Sequence, residues 1–94
     1  MFKELKTHFK TLAQYVPIVA RVHGPNHPEF YEVRKLFEII YDKTKEAGST
    51  KPVLNEEFTK LRKITNNYKV PSDVCESYAA VYKMLEEVDK AYFA

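Results

Sequence analysis

Phe2, Leu5, Phe9, Leu12, Val16 and Val19 follow one another at alternating intervals of three and four residues, the spacing that lines one face of an α-helix. Val22-His23-Gly24-Pro25 closes this segment, with the glycine expected in the left-handed conformation that ends many helices. Pro17 lies inside the segment and is expected to kink it, because its ring removes the bond to the carbonyl of Ala13. A second seam, Phe30, Val33, Phe37, Ile40, Thr44 and Ala47, opens after Asn26-His27-Pro28-Glu29 and stops at Gly48; proline and an acid both suit a first helical turn. A third seam runs through Leu54, Phe58, Leu61, Thr65 and Tyr68, from a start near Thr50-Lys51-Pro52 to an exit at Asn66-Asn67 and Val70-Pro71. The fourth, Val74, Tyr78, Val81, Leu85, Val88 and Tyr92, begins at Ser72-Asp73, where Asp73 and Glu76 have the spacing of a capping box. No window alternates at period two for long enough to predict a strand.

Four amphipathic helices of about 16–22 residues, each about 25–33 Å long, joined by short connections, pack most simply as antiparallel neighbours. The pattern therefore predicts an all-α, up-down-up-down four-helix bundle, with residues 1–94 forming one domain. In that layout one end of the bundle gathers His23, His27, Tyr68 and Cys75, and the other gathers Phe2, Ala47, Lys51 and the C-terminus.

Composition narrows the chemistry. Fifteen Lys and Arg against 13 Asp and Glu leave a net charge of +2, too near balance to announce a nucleic-acid partner. The single cysteine, Cys75, excludes an intrachain disulfide and a cysteine-built zinc site. Apolar runs such as Tyr15-Val16-Pro17-Ile18-Val19-Ala20 are far too short to span a membrane. The start Met-Phe-Lys-Glu-Leu-Lys carries charge too early for a signal peptide, so a cytoplasmic location is expected. The seven tyrosines and six phenylalanines fall largely on the seams and read as core rather than as a platform for stacking bases. Lys60, Arg62, Lys63 and Lys69 form a modest basic stretch, read as a solvated face. No Ser-His-Asp or Cys-His arrangement and no glycine-rich phosphate loop is legible. No catalytic residue is assigned, and enzymatic activity is not expected.

Three stretches carry a family resemblance: Ala20-Arg21-Val22-His23-Gly24 with His27-Pro28-Glu29, then Leu61-Arg62-Lys63-Ile64-Thr65-Asn66-Asn67-Tyr68, then Pro71-Ser72-Asp73-Val74-Cys75. In this order and spacing the chain resembles the hemerythrin-like domain of the iron–sulfur cluster repair di-iron proteins, from about Phe2 to its end. The resemblance implies a hemerythrin-like bundle holding a non-haem di-iron centre through histidines and bridging carboxylates. It also implies a cytoplasmic role in restoring iron–sulfur clusters damaged by oxidative or nitrosative stress. Members often carry an additional N-terminal cysteine-bearing domain, which these 94 residues do not include.

Carried over residue by residue, the resemblance predicts a depleted iron site. The family's first ligand histidine falls at or next to Phe2, and the one in its His-x-x-Lys-Glu-Glu run falls at about Ala47. The histidine that opens helix 3 falls near Lys51, and the last, with its Glu-Asn-Asn motif, falls just beyond Ala94. Iron needs several imidazole and carboxylate donors at about 2–2.3 Å. Phenylalanine and alanine offer none, and a protonated lysine repels the cation. No resident cofactor is expected; iron enters only through the resemblance.

Each remaining polar candidate has a structural reading beside a functional one. His23 reads first as an interhelix hydrogen bond or a contact with a helix C-terminus, and His27 as a helix-start residue. Together His23, His27 and Cys75 are the candidates for a metal site. Cys75, near the start of helix 4, reads as a small buried hydrophobe or as a thiol activated by the helix dipole. His8 precedes His23 by about 22 Å of helix and reads as a surface residue. Glu57 and Asp89 flank their stripes and read first as solvated acids paired with Lys60 or Lys90, with a role as inward carboxylates as the alternative.

Two functional readings follow. In one, the chain is a ligand-depleted relative of the cluster repair proteins, an interaction or regulatory module whose partners are a full-length family member or iron–sulfur client proteins. In the other, it handles metal through a site completed by a second chain or by His23, His27 and Cys75. The terminal Ala91-Tyr92-Phe93-Ala94 suggests a homodimer contact. Neither a nucleic acid nor a membrane is expected as a partner.

Overall fold

The computed structural model describes residues 5–94, and all of its regular structure there is helical. Helix α1 spans Lys6–His23, α2 Glu29–Ala47, α3 Asn55–Ile64 and α4 Glu76–Tyr92. The seams read from the sequence are the buried faces. Phe9, Leu12, Val16 and Val19 of α1 meet Phe30, Val33, Phe37 and Ile40 of α2, Phe58 and Leu61 of α3, and Tyr78, Val81, Leu85 and Val88 of α4 in one core. Phe2, the first residue of the predicted seam, lies outside the described residues.

Helix α1 packs on both α2 and α4, and α2 packs on α3. The ring closes through side chains reaching from α3 to α4: Phe58 stands 5.2 Å from Tyr92, ring centre to ring centre, and Arg62 binds Asp89. The result is a four-helix bundle. No described helix is long and apolar enough to cross a membrane. Pro17 sits within α1 without ending it, and the helix runs unbroken to His23.

Helix α3 has only 10 residues, well short of the length its seam predicts. At its start, the Leu54 N–H donates to the Tyr92 hydroxyl at 2.8 Å, and the preceding residues 51–54 are not helical. At its end, the Thr65 hydroxyl donates back to Leu61 O at 2.6 Å and accepts the Tyr68 N–H at 2.8 Å. Asn66, Asn67 and Tyr68 then take φ of 53°, 59° and 62°, three consecutive left-handed residues. Asparagine tolerates that region better than most side chains, which accounts for the Asn-Asn pair. This turn returns the Tyr68 ring to the core.

Two helix boundaries also differ from expectation. Gly24 is right-handed, with φ −52° and ψ −42°, so its value is not conformational. A Cβ there would stand 2.3 Å from both the Tyr31 ring and the Ala20 carbonyl oxygen; glycine is required for close approach. The Asp73–Glu76 capping box does not form. Helix α4 starts three residues later than Asp73, with Cys75 as an extended N-cap residue. Asp73 is instead engaged by His27.

Candidate functional site

The α1–α2 turn and the start of α4 bring three of the sequence candidates to one end of the bundle. His23, the last residue of α1, places Nε2 3.1 Å from Cys75 Sγ. His27 places Nδ1 3.0 Å from Glu29 Oε2 and Nε2 2.9 Å from Asp73 Oδ1. The rings of both histidines stand edge-on to Tyr78, with centroids 5.5 and 5.6 Å away, and Tyr78 is itself fully buried. The tyrosine thus acts as a shared floor that fixes both imidazoles.

Tyr68 does not join this end, contrary to the layout predicted from the sequence. Because α3 stops early, its hydroxyl reaches Asp89 instead. Asp89 lies 14 residues beyond Cys75 along α4, about 20 Å at the helical rise.

The two histidines have different partners. Both nitrogens of His27 face carboxylates, so both must donate, and only the imidazolium does that. Its pKa is accordingly raised, first by Glu29 and then by Asp73. A doubly protonated ring has no lone pair for a metal. Cys75 is exposed and its pKa is pulled down to about 7, by the backbone N–H of Tyr78 first and by His23 next. Those are the two influences expected at a helix N-terminus beside an imidazole. The His23–Cys75 pair therefore presents a substantial thiolate fraction at neutral pH, a state able to act as a nucleophile or a soft ligand. Among the described residues, no group of three or more His, Cys, Asp or Glu side chains is placed to hold a metal ion.

The resemblance puts the family's iron-ligand positions at the opposite end. Ala47 ends α2 and has no donor. The Lys51 ammonium stands 4.5 Å over the Tyr92 ring, a cation held where the resemblance calls for a ligand histidine.

The two acids nearest the core are also committed, and not as expected. Both are buried rather than solvated. Glu57 Oε2 accepts from Lys43 of α2 at 2.6 Å, while Glu57 Oε1 has no hydrogen-bond partner among the described residues. Burial pushes the Glu57 carboxyl up, but the Lys43 bond and nearby charges outweigh it, and the net direction is downward. Asp89 accepts from Arg62 Nε at 2.9 Å, from a terminal Arg62 nitrogen at 2.5 Å, and from Tyr68 Oη at 2.6 Å. Lys60 and Lys90 pair with Glu56 and Glu86 along their own helices instead. These carboxylates, already neutralised by cations, do not make a donor set for two iron ions. The residues described do not fit a di-iron centre.

The Arg62–Asp89–Tyr68 cluster was not singled out from the sequence, yet a signal was present. Asp89 lies four residues after Leu85 and three before Tyr92, and Glu57 lies three after Leu54 and four before Leu61. Both therefore stand inside the apolar arc of their helix rather than beside it. A carboxylate there requires a partner, because an unpaired buried charge is expensive.

No family model matches the chain, and no solved structure matches it. Along 92% of its length it is 23% identical to the iron–sulfur cluster repair protein ScdA of Staphylococcus haemolyticus (strain JCSC1435), of which the match covers 53%. It is likewise 21% identical to the ScdA of Staphylococcus epidermidis (strain ATCC 12228 / FDA PCI 1200), covering 52% of that protein. The chain spans about half the length of the curated relatives it matches. The resemblance carried by the Val-His-Gly and Asn-Asn-Tyr stretches thus extends along nearly the whole chain, and the chain is similar to proteins of iron–sulfur cluster repair.

Proposed function

We propose that this chain works in iron–sulfur cluster repair as an interaction or regulatory module that holds no di-iron centre of its own. In this reading it is a cytoplasmic protein of the oxidative or nitrosative stress response, and its partners are a full-length relative or damaged cluster proteins. The observation that carries the proposal is a contrast between motifs. The stretches that shape the bundle are kept, whereas the ligand positions carry Ala47 and Lys51, and the buried acids Glu57 and Asp89 are already bound to cations. The test is anaerobic loading with ferrous iron, removal of free metal, and elemental analysis beside a light-scattering mass. Iron well below one per chain at every protein concentration is expected. Two iron ions per chain would overturn the proposal.

A second reading is favoured by one contact, the 3.1 Å approach of His23 Nε2 to Cys75 Sγ. A soft thiolate beside an imidazole is half of a transition-metal site that a second chain completes. That reading requires stoichiometric iron that appears together with a doubled mass and is lost in His23→Ala.

A further inference from the structure

Helix α1 differs from its neighbours in what it shows to solvent. Tyr15, Ile18 and Val22 are spaced three and four apart, so they form one stripe, and all three are exposed, Ile18 by 49% and Val22 by 59%. A helix buried on one side and solvated on the other ordinarily carries charge on the outer face. Residues 11–20 carry none, and α1 contains no Asp or Glu at all; its only fixed charges are Lys6, Lys10 and Arg21. By contrast, the exposed residues of α2 and α4 include Glu32, Glu38 and Asp42, and Glu76 and Glu87.

From this we infer that the outer face of α1 is a docking surface for an amphipathic helix whose apolar ridge is flanked by acidic residues. The apolar stripe runs about 10 Å, and Lys10 and Arg21 lie about 16 Å apart along the axis, so a partner helix of three to four turns would meet both cations while its ridge covers Tyr15, Ile18 and Val22. Charge selects this occupant. A second copy of α1 has no carboxylate to offer Lys10 or Arg21. A flat anionic membrane would also confront Glu87 of α4, whose carboxylate lies beside α1, 2.8 Å from His8, whereas a helix can set its acids on the other flank, over Lys10 and Arg21. The inference deepens the interaction-module reading and rests on it; metal content decides that reading, and peptide binding decides this one.

The experiment uses the full chain, isotopically labelled, and two designed 18-residue helical peptides. Both have a leucine ridge; one is flanked by glutamates and the other by lysines. Binding of the glutamate peptide is expected to shift the amides of residues 14–22 selectively and to weaken as salt is added. It should exceed binding of the lysine peptide by at least about tenfold. Ile18→Glu and, separately, the exposed Val22→Ser should each reduce affinity by about tenfold or more while leaving the circular dichroism unchanged. Equal binding of the two peptides, or shifts elsewhere on the bundle, would overturn the inference. So would a mass that doubles with concentration and reverts in Ile18→Glu, which assigns the face to a second copy. Co-sedimentation with phosphatidylglycerol vesicles, lost in the same variant, would overturn it in favour of a lipid surface.

Discussion

Arg62 on α3 grips both carboxylate oxygens of Asp89 on α4, at 2.9 and 2.5 Å, and the Tyr68 hydroxyl donates to the same carboxylate at 2.6 Å. Asp89 is buried while Arg62 is only partly so. Removing the arginine therefore leaves a desolvated negative charge without its cation. Arg62→Met is expected to lower unfolding stability by about 2–3 kcal/mol, and Tyr68→Phe by about 1–2 kcal/mol for one hydrogen bond to a charged acceptor. Urea unfolding of the two variants and the wild type measures both.

The His23–Cys75 contact has a kinetic signature. With the thiol pulled down to about 7, alkylation by iodoacetamide should reach half its limiting rate near pH 7. His23→Ala should move that midpoint upward. It should not restore the ordinary value of 9.0, because the Tyr78 backbone N–H, the larger influence, stays in place. An unchanged midpoint in the variant would show that the imidazole has no part in the activation.

His27 gives a pH dependence of known sign. Its pKa is raised above 6.5 by Glu29 and Asp73, so the folded protein holds the proton more tightly than the unfolded chain. The resulting stability is fully present below pH 6.5 and is lost as pH rises through the folded value. The stability difference between wild type and His27→Asn should therefore be largest near pH 6 and shrink toward pH 9. Titration of the imidazole by NMR should give a midpoint above 6.5. Taking the difference matters, because Cys75 acts in the opposite sense: a lowered thiol pKa adds stability as pH rises above about 7.

The two glycines should respond to alanine for different reasons. At Gly24 the new Cβ meets the Tyr31 ring and the Ala20 carbonyl, an overpacking cost of about 1–3 kcal/mol. Adding Tyr31→Ala should recover only part of the loss, because the carbonyl stays. At Gly48 a Cβ meets no described residue within 4 Å, but φ is +60°, so the cost is conformational and about 1 kcal/mol. Thermal unfolding of the three variants separates the two cases.

The seams of α1, α2 and α4 were legible because their apolar residues recur at helical intervals over many turns, and the bundle follows from them. Helix α3 was not, because Leu54 and Tyr68 continue its periodicity while standing outside the helix. The turn chemistry of Thr65 and the two asparagines outweighs the period there. At the site, the chain layout alone placed His23 and His27 near Cys75. The pairing of Arg62 with Asp89 and of Lys43 with Glu57 was hidden, since each joins residues of different helices. Local spacing pointed instead to Lys60 and Lys90, which satisfy other acids.

A ten-residue helix is too short to persist by itself in water, so α3 depends on the burial of Phe58 and Leu61 and on three clasps. Tyr92 holds its entry through Leu54 and Asn55, Lys43 holds its middle through Glu57, and Asp89 holds its exit through Arg62. Such an element should open as a unit, ahead of the rest of the bundle. In a hydrogen–deuterium exchange series, amides of α3 should lose protection together at low denaturant while those of α1 and α4 keep theirs. Cutting one clasp should bring that partial opening within reach of native conditions. The segment bearing the three left-handed residues, tethered to the end of α3, would then be released with it.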